Sequence, residues 1–467
     1  MKYCLVACAI CVLMCSRAAA QWEADVRLTN NPAASRTSFP CGRCLAASGS
    51  MLHAVWYDYR DGSGDIYYKR STDDGSTWGS DTRLTAVGDS SETPAVAAAG
   101  EAVHVVWANN TDVQVRYRRS ADGGSNWGGV VPLTIGSTYT LYPSVAAEGN
   151  SVHVVWIDAR SATNYLPEVY YRRSTDNGAT WQADVRLSTG QSSTRQPAIA
   201  VAGDLVHVVW DDNRHGLNAE IYYRRSTDGG ASWDAETRLT NAAGFSFNGV
   251  VAASGQYVYA VWDDDRDGNR EIYCKRSTDA GATWGADTRL TNNVADSYFA
   301  SIVAAGNCVH ITWEDARDAN LEEYYKRSTD FGQAWSEDTR LTNSTGHSSH
   351  NTVAVSGHAV HVLWHDNRDG NWEVYYKRNL TGNPGVEETP SAEVRTTNAP
   401  SIIRGVLCLP SSPLSPPSSL LSIDGRKVLA LHPGPNDVSR LSPGIYFVTV
   451  DGARSPVNIR KVVVVPR

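Results

Sequence analysis

After Met14 the chain has no long apolar run. Tyr3–Met14 is too short for a comfortable membrane span, and no later segment could cross a bilayer as a helix. An excess of positive charge is also missing: 42 basic against 50 acidic side chains give a net charge of −8. Nucleic acid is therefore excluded as a main partner, because phosphate binding needs clustered basic surface. Cysteine is too scarce for a disulfide framework. Four of the nine (Cys4, Cys8, Cys11, Cys15) sit at the extreme N-terminus, leaving an odd set of Cys41, Cys44, Cys274, Cys308 and Cys408. Cys41-Gly-Arg-Cys44 could close a small disulfide in an oxidising compartment. With no second pair or neighbouring histidine it is no zinc site, and with no βαβ context it is no redox motif. No G-x-S-x-G, P-loop or zinc-protease motif occurs. Asp263-Asp-Asp-Arg-Asp-Gly268 opens like a calcium loop but has Cys274 where the closing Glu belongs. No metal and no cofactor are expected.

Against only 6 Phe and 3 Met stand 15 Trp, 22 Tyr and 38 Gly, the profile of many short aromatic strands joined by Gly-containing turns. Lys2, the apolar Tyr3–Met14 and Ala18-Ala19-Ala20 before Gln21 read as a secretory signal peptide over 1–20. From there the chain repeats at about fifty residues, as in Val206–Thr240, a period typical of propeller blades. Each unit predicts four strands: a small apolar one (Pro197–Gly203), Val206–Trp210, Glu220–Ser226 and Glu236–Thr240. The second-strand tryptophan recurs seven times, as Trp56, Trp107, Trp156, Trp210, Trp262, Trp313 and Trp364. The last unit lacks its fourth strand, and the missing copy stands at Trp22–Thr29 (WEADVRLT, against WQADVRLS at 181–188). The expectation is an all-β, seven-bladed β-propeller over 21–384, closed by its N-terminal strand, with six blades as the alternative. Closure removes an open sheet edge.

Between third and fourth strands lies S-x-D-x-G-x-x-W, six times, with its aspartates at Asp73, Asp122, Asp176, Asp228, Asp279 and Asp330. Asp and Gly suit a tight turn, and the Trp suits a staple onto the blade. This motif resembles the Asp-box (BNR repeat) of the sialidase-like propellers, where it is structural and lies away from the active site. After Arg378 a Pro/Ser/Thr-rich linker is expected over 385–418. Asp424-Gly-x-x-Val428, Leu441-x-x-Gly-x-Tyr446 and the final strand Arg460–Val465 follow. In order and spacing they resemble the C-terminal sorting domain of the type IX secretion system, a small β-sandwich, here 419–467. That resemblance implies the secretion machinery as a partner and a bacterial secreted or outer-membrane-attached location.

Two sets of residues are assigned to the rim that carries the second-to-third-strand turns and the blade connections. One is D-x-R followed by an acid, as in Asp58/Arg60/Asp65, Asp212/Arg214/Glu220 and Asp366/Arg368/Glu373, with blade 2 excepted. It is expected to be structural, each arginine held between its two carboxylates. The other differs from copy to copy: Arg36, Glu92, Tyr139, Tyr142, Arg195, Phe247, Tyr298, His347 and His350. These should ring the channel mouth, either holding a sugar or peptide or plugging the channel. Sialidases clamp a carboxylate with three arginines and attack with a tyrosine backed by a glutamate. Here the Arg-Ile-Pro signature of that family is absent, and only Arg36 and Arg195 are unique connection arginines. The chain therefore reads as a non-catalytic glycan- or protein-binding propeller. The alternatives are an exo-α-sialidase or related glycoside hydrolase, and a structural surface or adhesion component.

Overall fold

The computed structural model describes residues 22–38 and 42–383 except 138, 161–165, 190–192, 215 and 217, together with short strand segments of 401–464. The expected leader, Cys41 and most of the expected linker lie outside the described residues. The chain divides into Met1–Val386 and Glu387–Arg467.

Seven antiparallel meanders form the first unit, and no helix occurs among the described residues. Blade 4 is typical: inner strand Thr194–Ala202, then Leu205–Asp212, Glu220–Ser226 and an outer strand Thr237–Arg238. The protein is a seven-bladed β-propeller. Blade 7 (Ser348–Ser356, Ala359–Asp366, Glu373–Asn379) takes its outer strand from the N-terminus, pairing Val26 with Tyr376 and Arg27 with Tyr375. The seam is pinned by Leu28 N–H to the Val374 carbonyl at 2.8 Å. Asp25 takes bonds from Arg368 and Lys377 at 2.7 and 2.8 Å. Blade 1 departs from the pattern, its inner strand being split into Ser35–Arg36 and Leu45–Ser48, both on Met51–Asp58.

All seven second-strand tryptophans are fully buried. Beside them His53, His104, His153, His207, His310 and His361 bond third-strand tyrosine hydroxyls at 2.7–2.8 Å. In the turn motif, Ser71 Oγ donates to Asp73 and accepts from Gly75 N–H, and Thr77 N–H caps the Asp73 carboxylate at 2.8 Å. Those bonds, the Thr77 amide first, hold Asp73 down at about 2. The motif's tryptophan packs on the preceding blade as well as its own: Trp127 meets Tyr68 edge-on at 4.8 Å, and Trp233 meets Tyr171 likewise. A Cβ on Gly124 would lie 1.8 Å from the same Tyr68 hydroxyl, so the glycine is required by the neighbouring blade as well as by its φ of +80°. The turn is thus an inter-blade staple, each edge-on pair worth about 0.5–1.5 kcal/mol beyond its buried area.

The charged set needs a correction. Arg60 bridges Asp58 and Asp81, at 2.6 and 2.7 Å, and not Asp65. The equivalents Arg266, Arg317 and Arg368 reach Asp287, Asp338 and Asp25 from the approach to the outer strand. The following acid serves the outer strand itself: Glu271 takes Arg289 at 2.7 Å and Thr291 at 2.5 Å. Two interleaved networks therefore tie the short outer strands to their blades, blade 2 excepted. The sequence merges them because both acids flank the same hairpin.

In the second unit Ser418–Ser422 lies between Lys427–Leu431 and Gly444–Val450. Arg460–Val464 pairs Gly444–Val450 and, in parallel, Ser401–Ile403, while Val406–Leu409 pairs Gly434–Asp437.

Candidate functional site

Each inner strand of blades 2 to 7 begins with a bulge one or two residues after its first ladder pair. The bulged residue is left-handed without being glycine: Thr93, Tyr142, Gln196, Asn248, Phe299 and His350, with φ between 45° and 54°. Such residues are strained, and here the strain recurs at the end of the strand that faces the channel mouth. Of the connection residues singled out in the sequence, Glu92, Arg195, Phe247 and Tyr298 stand one position before this bulge, Tyr142 and His350 occupy it, and Arg36 ends the first piece of the split inner strand of blade 1.

The structure brings three of them into one pocket. Tyr139, Tyr142 and Arg195 line a cavity of about 430 Å³ with Ile157 and Pro167, spanning blades 3 and 4. Tyr139 and Arg195 are exposed; Tyr142 is half-buried. No carboxylate or histidine lines the cavity among the described residues. A second group gathers across blades 6, 7 and 1. His350 is stacked between Phe299 and His365, at 5.3 and 4.9 Å, and Tyr298 meets Phe299 edge-on. Arg36 lies over Trp372, 5.6 Å from its ring centre, and acts electrostatically on His350, His365 and Tyr57. Burial, with Arg36 as a lesser cause, lowers His350 to about 4, so its ring is neutral at physiological pH. Phe247 stands elsewhere, stacked on Phe245 with Arg270 at 5.2 Å. His347 is a clasp: its N–H bonds Asn367 and its ring nitrogen takes the Leu321 N–H. Glu92 accepts from Tyr59. Arg36 and Arg195 do not converge on a common described pocket.

Beneath this rim lies a set that the comparison of repeats passed over. The residue after each second-strand tryptophan is Tyr57, Ala108, Ile157, Asp211, Asp263, Glu314 or His365 in blades 1 to 7. The four polar ones are buried and accept the bulge N–H of the next blade. Asp211 takes Asn248 and Gly249 N–H at 3.0 and 3.2 Å, and Asp263 takes Phe299 at 3.0 Å. Glu314 takes His350 at 2.7 Å, and His365 Nδ1 takes Thr37 at 3.2 Å. Burial pushes Asp211 up to about 7 and Asp263 to about 8. Glu323 is buried where the other blades have Ile66, Val115, Val169, Ile221, Ile272 and Val374, and burial beside Glu314 raises its carboxyl strongly. Thr312 likewise replaces a branched apolar residue and bonds Asn351 at 2.5 Å. The signal was available: these positions break the repeat. Their place inside strands, away from both the connections and the repeated motifs, is what hides them in the sequence. Glu314 lies opposite Tyr298 in the ladder, yet its carboxylate is turned to the next blade's backbone.

No protein-family model and no curated protein matches the chain. Solved structures do. A polysaccharide lyase of family PL25, an ulvan lyase solved bound to -[GlcA(1-4)Rha3S]-, superposes with a TM-score of 0.54 at 12% identity, over 76% of this chain and 95% of that one. The Trypanosoma rangeli sialidase bound to the inhibitor DANA matches with a TM-score of 0.47 at 14% identity, over 65% of this chain and 57% of its own. A Hadza microbial sialidase matches with a TM-score of 0.45 at 14% identity, over 68% and 73%. At such identity the first likeness shows the fold and nothing finer.

Proposed function

We propose that this protein is an exported propeller that holds a glycan, without cleaving it, in the pocket of Tyr139, Tyr142 and Arg195. The observation that carries this reading is the gathering of those three non-repeating side chains in one open cavity of about 430 Å³. Tyrosine faces give flat apolar contact to a sugar ring, and a guanidinium gives fork-shaped donors to hydroxyls or a sugar carboxylate. Hydrolysis would need two carboxylic groups flanking the bond, and none lines this pocket among the described residues. The buried carboxyls Asp211, Asp263 and Glu314 are bonded to backbone. A saccharide is favoured over a peptide by fold-level analogy with the ulvan lyase, solved with a uronate-containing saccharide.

An array of neutral, uronate-containing and sialylated oligosaccharides tests the reading, followed by calorimetry on the best ligand. Arg195→Ala and Tyr142→Ala should each weaken binding about tenfold or more, the ~1.4 kcal/mol of one good contact. Turnover of a fluorogenic sialoside, lost on substitution of either residue, would replace binding by catalysis. Localisation belongs to the same proposal: the leader 1–20 and the Asp424–Val428, Leu441–Tyr446 and Arg460–Val465 segments support type IX export to the cell surface. Deleting 419–467 should then trap the protein in the periplasm of its host; unchanged surface display would remove this part.

A further inference from the structure

The inner strands leave a channel of about 190 Å³ through the ring, walled by alanine and valine from every blade. Among the described residues one charged side chain lines it, Arg43 of blade 1. It comes from the interruption of that blade's inner strand: in sequence six residues separate Thr37 from Cys44, where Pro94 alone separates Thr93 from Ala95 in blade 2, as the pairings of Arg36 with Tyr57, Ala46 with His53, Glu92 with Ala108 and Ala97 with His104 fix. The backbone that presents Arg43 is held on both sides. Its carbonyl accepts from Val96 N–H at 2.8 Å, the Cys44 carbonyl accepts from Val55 N–H at 2.9 Å, and Cys44 Sγ takes the Ser38 N–H at 3.1 Å. A Cβ on Gly42 would fall 2.9 Å from Ser38 Oγ and 3.1 Å from the Pro94 carbonyl, so glycine is what lets this segment lie against blade 2.

From there the side chain crosses the channel, and Nη2 donates to the Val251 carbonyl of blade 5 at 2.8 Å. Among the described residues that is the only bond its guanidinium makes, and no salt bridge reaches it. The guanidinium keeps some surface, but that surface faces the channel, deep within the ring. Burial lowers its pKa to about 10, which leaves it charged at neutral pH. On the rim Arg60, Arg266 and Arg317 each sit between two carboxylates, whereas Arg118, Arg119 and Arg276, like Arg43, bond backbone carbonyls without a salt bridge; Arg43 differs from these in facing the central channel. A charge held inside the ring without a counter-charge costs folding free energy, though less than a fully buried one because its surface opens on the channel. Most of the five N–H donors of Arg43 have no partner among the described residues.

We infer that the channel at Arg43 is a binding site for a small anion, which completes the charge balance at the centre of the ring. The cavity has room for about six waters at roughly 30 Å³ each, and so for a halide, an acetate-sized carboxylate or a phosphate with a few waters. Apolar walls and one guanidinium select for negative charge and small size and contribute no further specificity. The site is independent of the Tyr139/Tyr142/Arg195 pocket and stands whether or not that pocket binds glycan.

The test is thermal unfolding of the purified full-length protein at fixed pH and ionic strength, with bulky gluconate replaced stepwise by chloride, acetate or phosphate. A saturable rise in Tm is expected for at least one small anion, and its half-saturation concentration should be raised at least about tenfold, or the rise abolished, in Arg43→Met. Best response to chloride or phosphate would mean a free inorganic ion; best response to acetate would mean a carboxylate. A wild type and an Arg43→Met variant that respond alike, or a linear non-saturating rise in both, would overturn the site, since that is the general effect of salts on burial. If Arg43→Met does not fold, crystals of the wild type grown in bromide decide it. An anomalous peak within hydrogen-bonding reach of the Arg43 guanidinium supports the site, and its absence at saturating bromide overturns it.

Discussion

Blades 1 to 3 and blades 4 to 7 solve the same problem in opposite ways. Each inner-strand bulge turns backbone donors toward the preceding blade, and Asp211 shows both of them, the N–H groups of Asn248 and Gly249. Asp211, Asp263, Glu314 and His365 supply acceptors, and opposite them stand Gly249, Ala300, Asn351 and Ser38, each with an N–H. In the other half Tyr57, Ala108 and Ile157 stand at the aligned position, and opposite them are Pro94, Pro143 and Pro197. Proline has no N–H to satisfy. Where the acceptor is missing, one donor is missing too. At this position seven blades that look alike in outline therefore divide into an arc without a buried acceptor for the next blade and an arc with one. The candidate pocket sits at the boundary, with Ile157 in its wall and Arg195 one strand from Asp211.

The scaffold should not register this division. Trp107→Ala and Trp262→Ala each empty a fully buried site, and each should cost about 3–5 kcal/mol in urea unfolding. A much larger loss in one arc would mean that the arcs differ in packing as well as in polar bonding. Asp211→Ala should cost about 2–4 kcal/mol by stranding two buried N–H groups. Adding Gly249→Pro, which copies the Ala108/Pro143 arrangement, should recover about 1 kcal/mol of that. A double-mutant cycle without coupling would break the acceptor–proline correspondence.

The smallest effect is in the pH profile. Asp263, raised to about 8 by burial, keeps its proton when folded, so its contribution is full below the ordinary carboxylate range and is lost as pH rises through 8. The buried histidines act with the opposite sign and around the whole ring. His53, His104, His153 and His207 are lowered to about 4 by burial, so their contribution is present above 6.5 and is lost as pH falls through 4. Melting temperature should therefore peak at mildly acidic pH. Asp263→Asn should flatten only the alkaline side, by no more than about 2–4 °C. A profile unchanged by that substitution would mean that Asp263 titrates at the same pH in the folded and unfolded states.

Repetition made the fold legible. Seven copies of a tryptophan strand and a displaced eight-residue copy of the fourth strand, Trp22–Thr29, specify the blade count and the seam, because a sheet edge left open is costly and the chain carries one strand to close it. The candidate pocket was legible in part. Tyr139, Tyr142 and Arg195 stood out because they break the repeat in connections, but so did Phe247 and His347, which the structure sends elsewhere. The partners of the arginines were misassigned, since Asp65 and Asp81 are both near Arg60 in sequence and only the blade's geometry separates them.

What the sequence determined by itself is what depends on local period: strand order, turns, ring size, and the tryptophan core. What only the tertiary structure decided is what depends on contact between one blade and another. The acceptor in blade 4 serves a donor in blade 5, the glycine in one turn makes room for the tyrosine of the blade before it, and Arg43 of blade 1 meets the Val251 carbonyl across the channel. Those partners are tens to hundreds of residues apart, and closure of the ring is what sets them side by side.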